Sequence, residues 1–345
     1  MSTQIVTPLR ALEFSTKLNR VEFTSSDAYV DITLTADGIT VLAERYTPDA
    51  EGKVVLLDVG TLLAPYIISQ LVSSVEFVYS SEGSEESEPL KVIYTSALVE
   101  EATDDFVASH YLTHLTQKVT AIGRKEVLYF YVDEETTPSC TAFYADGSTI
   151  TQAYPTTFDD IGTIAMLEVS PINFEVSGKT LIGYTVTAGE RSMPFVVRPF
   201  VETAPSLIFR NSFGCEETIY CVGTETLAPE YKYTAASING YYKNVGIEEI
   251  KTFTALTGVL TIAMSNWADD LFRSPAVQLF TVDGHGSIIR GRQVTITEAK
   301  SVRSNESGFL PNFEFSYRYS QNNHNIFDKT VVGRIFDDTF DYSFE

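Results

Sequence analysis

The sequence predicts an all-β chain of consecutive antiparallel β-sandwich modules with one or two short helices. Three observations predict it. Apolar residues recur at a period of two through most of the chain, the spacing that puts alternate side chains on one face of a strand. Turn dipeptides such as Asp37-Gly38, Asp146-Gly147, Ala188-Gly189 and Asn239-Gly240 punctuate those runs. Helical spacing shows in only two places. The 345 residues allow two or three modules at roughly 100–200 residues each. The 44% hydrophobic content can fill their cores and argues against wholesale disorder.

The first module is expected over residues 1–103. Tyr29–Thr35 alternates, Asp37-Gly38 turns, and Ile39–Tyr46 runs back; after a loop at 47–52, Lys53–Asp58 extends an antiparallel meander. Thr61–Gln70 has the apolar spacing of a short helix. Val75–Tyr79 and Leu90–Tyr94 read as strands, and Ser80–Glu88 between them as a polar, acidic, mobile loop. A middle module over 104–205 carries strand patterns at Val119–Ile122, Val127–Val132, Ala142–Tyr144, Ile161–Val169, Thr180–Thr187 and Met193–Val197. A third module over 206–326 opens with Leu207–Cys221. Strands follow at Tyr231–Ile238, Thr252–Leu256, Val259–Ala263, Ala276–Val282, Gln293–Thr297 and Phe313–Tyr319. Asn266–Arg273 is its short helix, with Ser265 or Asn266 as N-cap and Trp267 plugging it onto the sandwich. Residues 327–345 read as an acidic, aromatic arm.

Charge narrows the partners. Lys and Arg number 24 against 46 Asp and Glu, a net charge of −22. Such a surface repels phosphate backbones and anionic lipid, so neither sequence-specific nucleic-acid binding nor a membrane is expected. No apolar run approaches the ~18 residues that span a bilayer. Met1–Arg10 lacks the basic and apolar regions of a secretory signal. Cys140, Cys215 and Cys221 show no pairing pattern; on one extended strand the last two would lie roughly 20 Å apart, beyond disulfide reach. Three unpaired thiols fit a reducing compartment.

Motifs that carry chemistry are missing. There is no GxSxG, GxxxxGK[ST] or HExxH, and Gly284–Gly291 fits a hairpin turn better than a GxGxxG loop. His110 and His114, four apart, would share a helix face near Asp104 and Asp105, but an exposed pair in a linker is the simpler reading. Asp337, Asp338 and Asp341 lack the spacing of a calcium loop. No catalytic residue, metal or cofactor is therefore expected. Most of the 22 Phe and 19 Tyr fall in strands, where they pack as cross-strand pairs. Tyr241 and Tyr242 beside a turn could instead form a sugar-binding platform.

Three segments carry a resemblance. Phe209–Thr218 is similar to an F-x-N-x-F-G-x-x-[DE]-x signature in virion structural proteins of phages and prophages of the gut Bacteroidetes type. Trp267–Val277 resembles their W-x-x-[DE]-L-x-x-S-x-x-V helix-to-strand segment, and Phe313–Gln321 their last strand before an aromatic tail. The resemblance covers residues 207–321 and transfers no functional residue. It implies a non-enzymatic tail, tail-tip or baseplate component that assembles in the bacterial cytoplasm and resides in the virion. Its partners would be further copies of itself, in a ring or tube, and other virion structural proteins. The segments expected to make those contacts are Glu82, Glu85 and Glu86 in the acidic loop, Tyr241 and Tyr242, and Phe336, Phe340, Tyr342 and Phe344 in the arm. The alternative is a glycan- or receptor-binding sandwich. A carbohydrate-active enzyme is the third reading, but 46 acids offer no way to pick its two carboxylates.

Overall fold

The computed structural model describes residues 3–321 apart from 83, 202, 284, 285 and 307. About half of the chain is strand and about a tenth helix, which makes it all-β. The N-terminal part contains β1 (Gln4–Ile5), β2 (Leu12–Phe14), β3 (Arg20–Thr24), β4 (Val30–Ala36), β5 (Ile39–Tyr46), β6 (Lys53–Leu57), α1 (Val59–Ile67), β7 (Val72–Ser81) and β8 (Ser84–Ile93). Sheets ordered β1-β3-β6 and β2-β8-β7-β4-β5 enclose Phe23, Ile32, Leu34, Phe77 and Val92, and α1 adds Leu63 and Ile67 to this core. Strict alternation builds it: β4 buries every second residue from Val30 to Ala36.

Two expectations for this part are corrected. β6 does not extend the β4–β5 meander; it crosses to pair with β3 in the other sheet, because the loop at 47–52 is long enough to change layers. The segment 80–88 is not a mobile loop but the closed end of the β7–β8 hairpin, paired from Val72↔Ile93 to Ser81↔Ser84. Its glutamates are exposed, and the backbone ladder outweighs their polar composition.

The middle part contains α2 (Thr103–Ser109), β9 (Lys118–Ala121), β10 (Val127–Tyr131), β11 (Ser139–Tyr144), β12 (Thr149–Ala153), β13 (Ile164–Glu168), β14 (Leu181–Ala188) and β15 (Arg191–Arg198). A five-stranded sheet ordered β12-β11-β14-β15-β9 faces the pair β10-β13. α2 ends before His110, so His110 and His114 share no helix. The His110 ring stacks on Phe106 instead.

The C-terminal part contains β16 (Ser206–Arg210), β17 (Glu216–Tyr220), β18 (Glu225–Ile238), β19 (Tyr241–Leu256), α3 (Ile262–Arg273), β20 (Val277–Val282), β21 (Ile288–Lys300) and β22 (Glu314–Tyr319). They form one sheet ordered β17-β16-β20-β21-β22-β19-β18. Val259–Ala263 is not a strand. The Thr261 hydroxyl accepts the Met264 N–H at 3.2 Å, and this cap starts α3 there rather than at Ser265 or Asn266. Trp267 is fully buried against Phe209, with centroids 5.4 Å apart, and holds α3 on the sheet as expected.

The middle and C-terminal sheets share one continuous core. A smaller cluster ties in the N-terminal sandwich: Leu12, Phe14 and Ile93 meet Val107, Leu112 and Tyr131 of the middle part and Phe213 and Cys215 of the C-terminal part. Phe213 lies 5.9 Å from Phe14 and 5.5 Å from Phe106, ring centroid to ring centroid. Arg191, buried in the same region, donates to the carbonyls of Val107, Ala188 and Tyr131 and to the Asp133 carboxylate. Cys140, Cys215 and Cys221 are free and buried, and burial pushes the Cys140 thiol up to about 12.

Gly60 marks the closest approach in the N-terminal sandwich. A Cβ there would overlap the Ser15 carbonyl oxygen, which is backbone and cannot swing aside. Gly60→Ala is expected to cost ~1–3 kcal/mol through overpacking, seen as a fall of at least about 5 °C in the thermal transition of that sandwich; an unchanged transition would sink this reading.

Candidate interaction site

Among the described residues, the outer part of the β18–β19 hairpin has no further strand partner. Its turn is Asn239-Gly240, with φ of 53° and 81°, the left-handed pair that closes a two-residue hairpin with the strand twist. The strands pair continuously from Glu225↔Ala255 to Ile238↔Tyr241. On its other side β19 pairs with β22 only over Phe253–Leu256. The ribbon on the tip side of Ile250 therefore projects past the sheet by roughly 30 Å at 3.3 Å per residue.

Register assigns the ribbon's faces. Leu227 lies opposite Phe253, Tyr231 opposite Glu249 and Tyr233 opposite Ile247. This face continues the inner, buried face that Phe253 and Tyr317 form in the sheet. Beyond the sheet no second layer covers it among the described residues; Leu227, Tyr231, Tyr233 and Ile247 are exposed, and the Lys251–Glu249 ion pair interrupts the apolar run. The opposite face carries Thr226, Glu230, Lys232 and Thr234 against Thr254, Ile250, Glu248 and Gly246. Val245 is an extra residue at a bulge, which shifts the alternation of β19 so that Tyr242 joins the apolar face. Isolated two-stranded ribbons are marginal in water, and unpaired strand edges template further strands.

Tyr241 and Tyr242 are 73% and 86% exposed at the ribbon tip. As neighbours on one strand they point to opposite faces, so they do not join into one flat platform. Glu82, Glu85 and Glu86 sit at the far end of the β7–β8 hairpin in the N-terminal sandwich. Glu86 accepts from the Tyr79 hydroxyl at 3.1 Å and borders an open cleft of about 420 Å³ with Gln4, Thr7 and Glu88. Phe336, Phe340, Tyr342 and Phe344 lie outside the described residues. Sequence reading marked the tip of β18–β19 but not its length; the usable signal was an Asn-Gly turn with fourteen turn-free residues before it and sixteen after it.

A second cluster holds buried charge, where the middle and C-terminal parts meet. Glu217 accepts from Asn211 Nδ2 at 2.9 Å and from Trp267 Nε1. Lys118 pairs with Glu126 at 2.5 Å and donates to the Thr218 carbonyl at 2.7 Å. Asn211 Oδ1 receives the N–H groups of Phe213 and Cys215, and its Nδ2 also reaches the Leu112 carbonyl. Asp270 of α3 accepts from the Ser212 N–H and hydroxyl, and His114 Nε2 lies 3.9 Å away. The adjoining cavity, lined by Asn211, Ser212, Asp270 and Arg273, measures about 30 Å³, room for about one water. These groups bond one another and the backbone, which is the work of a joint between modules. Among the described residues no group of three His, Cys, Asp or Glu could hold a metal, and no helix is long and apolar enough to cross a membrane.

No family model and no curated sequence matches the chain. Among solved structures it is similar over 34% of its length to 92% of a chain from the virion of a native gene transfer agent particle, at 16% identity and a TM-score of 0.23. It is also similar to the titin I-band fragment I67–I69 (94% of this chain, 90% of that chain, 11% identity, TM-score 0.20). A bacterial ice-binding adhesin gives 81% of this chain, 91% of that chain, 10% identity and a TM-score of 0.16. At such scores none of these likenesses carries an argument about function.

The joint has a pH signature. Burial raises the Glu217 carboxyl above the ordinary 4.5, against the lowering effects of Thr113, Trp267, Lys118 and Asn211. A raised carboxyl in the folded state contributes stability that is full below the unfolded value and is lost as pH rises through the folded one. The stability of the native chain relative to Glu217→Gln is therefore expected to fall as pH climbs from about 4 towards neutrality. Urea unfolding of both proteins at several pH values reads this; a difference that does not change across the window would contradict it.

Proposed function

We propose that the protein is a non-enzymatic structural component of a phage-tail-type virion assembly, acting by self-association through the β18–β19 hairpin. The observation that carries this reading is the ribbon itself, with a face that continues the buried face of its sheet, exposes Leu227, Tyr231, Tyr233 and Ile247, and has no cover among the described residues. Contiguous exposed apolar surface of this kind marks an interaction site. A body whose three sheet groups are locked at one joint suits a subunit that passes load to neighbours. The resemblance of Phe209–Thr218, Trp267–Val277 and Phe313–Gln321 to virion structural proteins supports the same reading. Other virion structural proteins would be its further partners.

Native mass measurement and negative-stain imaging of the purified chain test it. Assembly into a closed ring or open tube is expected as concentration rises. Placing a charge on the apolar face by Tyr233→Glu or Ile247→Glu removes a buried contact worth ~1.5–3 kcal/mol, so each should weaken assembly by about ten- to a hundredfold. Both positions are exposed, so the thermal transition should stay within about 2 °C of the native one. A chain that stays monomeric at high concentration, or assembles equally well with both substitutions, would refute the proposal.

A further inference from the structure

Self-association leaves open what meets the bare edge of β19, and the hydrogen-bond phase of that strand answers it. The Leu256 N–H bonds the Thr224 carbonyl at 3.2 Å, while the Thr257 N–H bonds the Phe313 carbonyl at 2.9 Å on the other side. Backbone groups alternate in direction along an antiparallel strand. Even-numbered residues of β19 from Leu256 back to Gly246 therefore face β18. Odd-numbered ones from Ala255 back to Ile247 face the side that β22 occupies as far as Phe253. Beyond the bulge at Val245 the phase flips, because Ile238↔Tyr241 closes a two-residue turn and bonds inward. From Tyr241 to Ile250 the outward-facing residues are then Tyr242, Asn244, Ile247 and Glu249, with a step of three in the middle instead of two. No strand pairs with this stretch of edge among the described residues.

That break in phase selects the partner. An ordinary strand can pair with one half of the edge and falls out of phase across Val245 and Gly246. A second copy of β19, antiparallel about a two-fold axis between Val245 and Gly246, carries the same break at the same place. Tyr242 then meets Glu249 of the second copy and Asn244 meets its Ile247, and both pairs recur by symmetry, so outward groups meet outward groups throughout. The turn Asn239-Gly240 of the second copy comes level with residues 251 and 252, short of Phe253 where the ladder with β22 begins. Charge agrees with the register that phase selects. Lys243 falls opposite Glu248 of the second copy, and Glu248 opposite its Lys243, on the polar face; within one hairpin Lys243 stands opposite the uncharged Ala236. The edge of β18 is less suited. Pro229, paired with Lys251, falls at an outward position there and has no N–H to give.

We infer that two copies of the chain pair through the β19 edges, residues 241–250, antiparallel about a two-fold axis, to form a four-stranded sheet ordered β18-β19-β19-β18. The inference rests on the self-association reading and deepens it by naming partner, edge and register. A two-fold contact closes at two copies, so the exposed face beside it is left for the contacts that extend such pairs into a ring or tube.

The test is a charge swap in the full-length chain, read by native mass measurement across a concentration series. Lys243→Glu alone, or Glu248→Lys alone, places like charges opposite each other twice, and each is expected to weaken pairing about tenfold. An equimolar mixture of the two variants restores both opposite-charge pairs and is expected to regain the lost tenfold as heterodimer. Glu248 also faces Lys232 in its own hairpin, and a defect confined to that hairpin would persist on mixing. Absence of rescue in the mixture overturns the inference. Asn244→Pro removes an outward N–H at two symmetric positions and is expected to weaken pairing at least about tenfold, with the thermal transition within about 2 °C of the native one. Assembly untouched by Asn244→Pro but lost with Tyr233→Glu would overturn the edge pairing and leave the hairpin reading standing. A chain that never assembles sinks both.

Discussion

The architecture depends on one asparagine. Asn211 holds the turn between β16 and β17 with its side-chain oxygen and bonds Leu112 and Glu217 with its amide. That turn presents Phe213 to the cluster where all three sheet groups meet. Gly214, at a φ of 77°, lets the turn pass close to Leu71 and Tyr94 of the N-terminal part. Glu217, two strand residues into β17, is fixed by the same amide and by Trp267 of α3. Remove the amide, and Glu217 loses one of its donors while the Phe213 and Cys215 N–H groups lose their acceptor. The spacing F-x-N-x-F-G-x-x-E thus has a mechanical meaning in this chain: core, clamp, wedge, close approach and anchor.

With the joint fixed, the ribbon becomes a defined projection rather than a loose strap. Its root is held by the stacking of Phe253 on Tyr317, with centroids 4.9 Å apart, and by the hydrogen bond from the Tyr317 hydroxyl to Glu225. The aromatic contacts end where the sheet ends, and the apolar pattern does not. That mismatch between pattern and cover is the feature on which the proposed self-association rests.

The sequence showed the fold class plainly, because period-two alternation survives wherever one face is buried. β4, β5, β14 and β15 lie close to the segments read from alternation and turn dipeptides. Alternation failed where burial did not accompany pairing. The outer half of β8 is Ser84-Glu-Glu-Ser-Glu88, a strand only because β7 supplies its ladder. The outer parts of β18 and β19 are exposed on both faces, so charge and Pro229 broke the pattern although the hydrogen bonds continued. Val259–Ala263 failed for the opposite reason: β-favouring residues yielded to the cap at Thr261 and to the docking of Trp267. The buried joint was legible only as the Asn211 signature, since its charges come from Lys118, Glu126, Glu217 and Asp270, which lie far apart in sequence and show no local pattern.

The long β18–β19 ladder also sets how the projection answers force. A pull on the tip along the ribbon axis is carried by two covalent backbones side by side, because both strands return to the same sheet. A push across the axis loads the hydrogen bonds a few at a time, starting from the edge that β22 leaves at Phe253. The projection is therefore stiff in tension and compliant in bending, with its hinge line at the last residue that β22 supports.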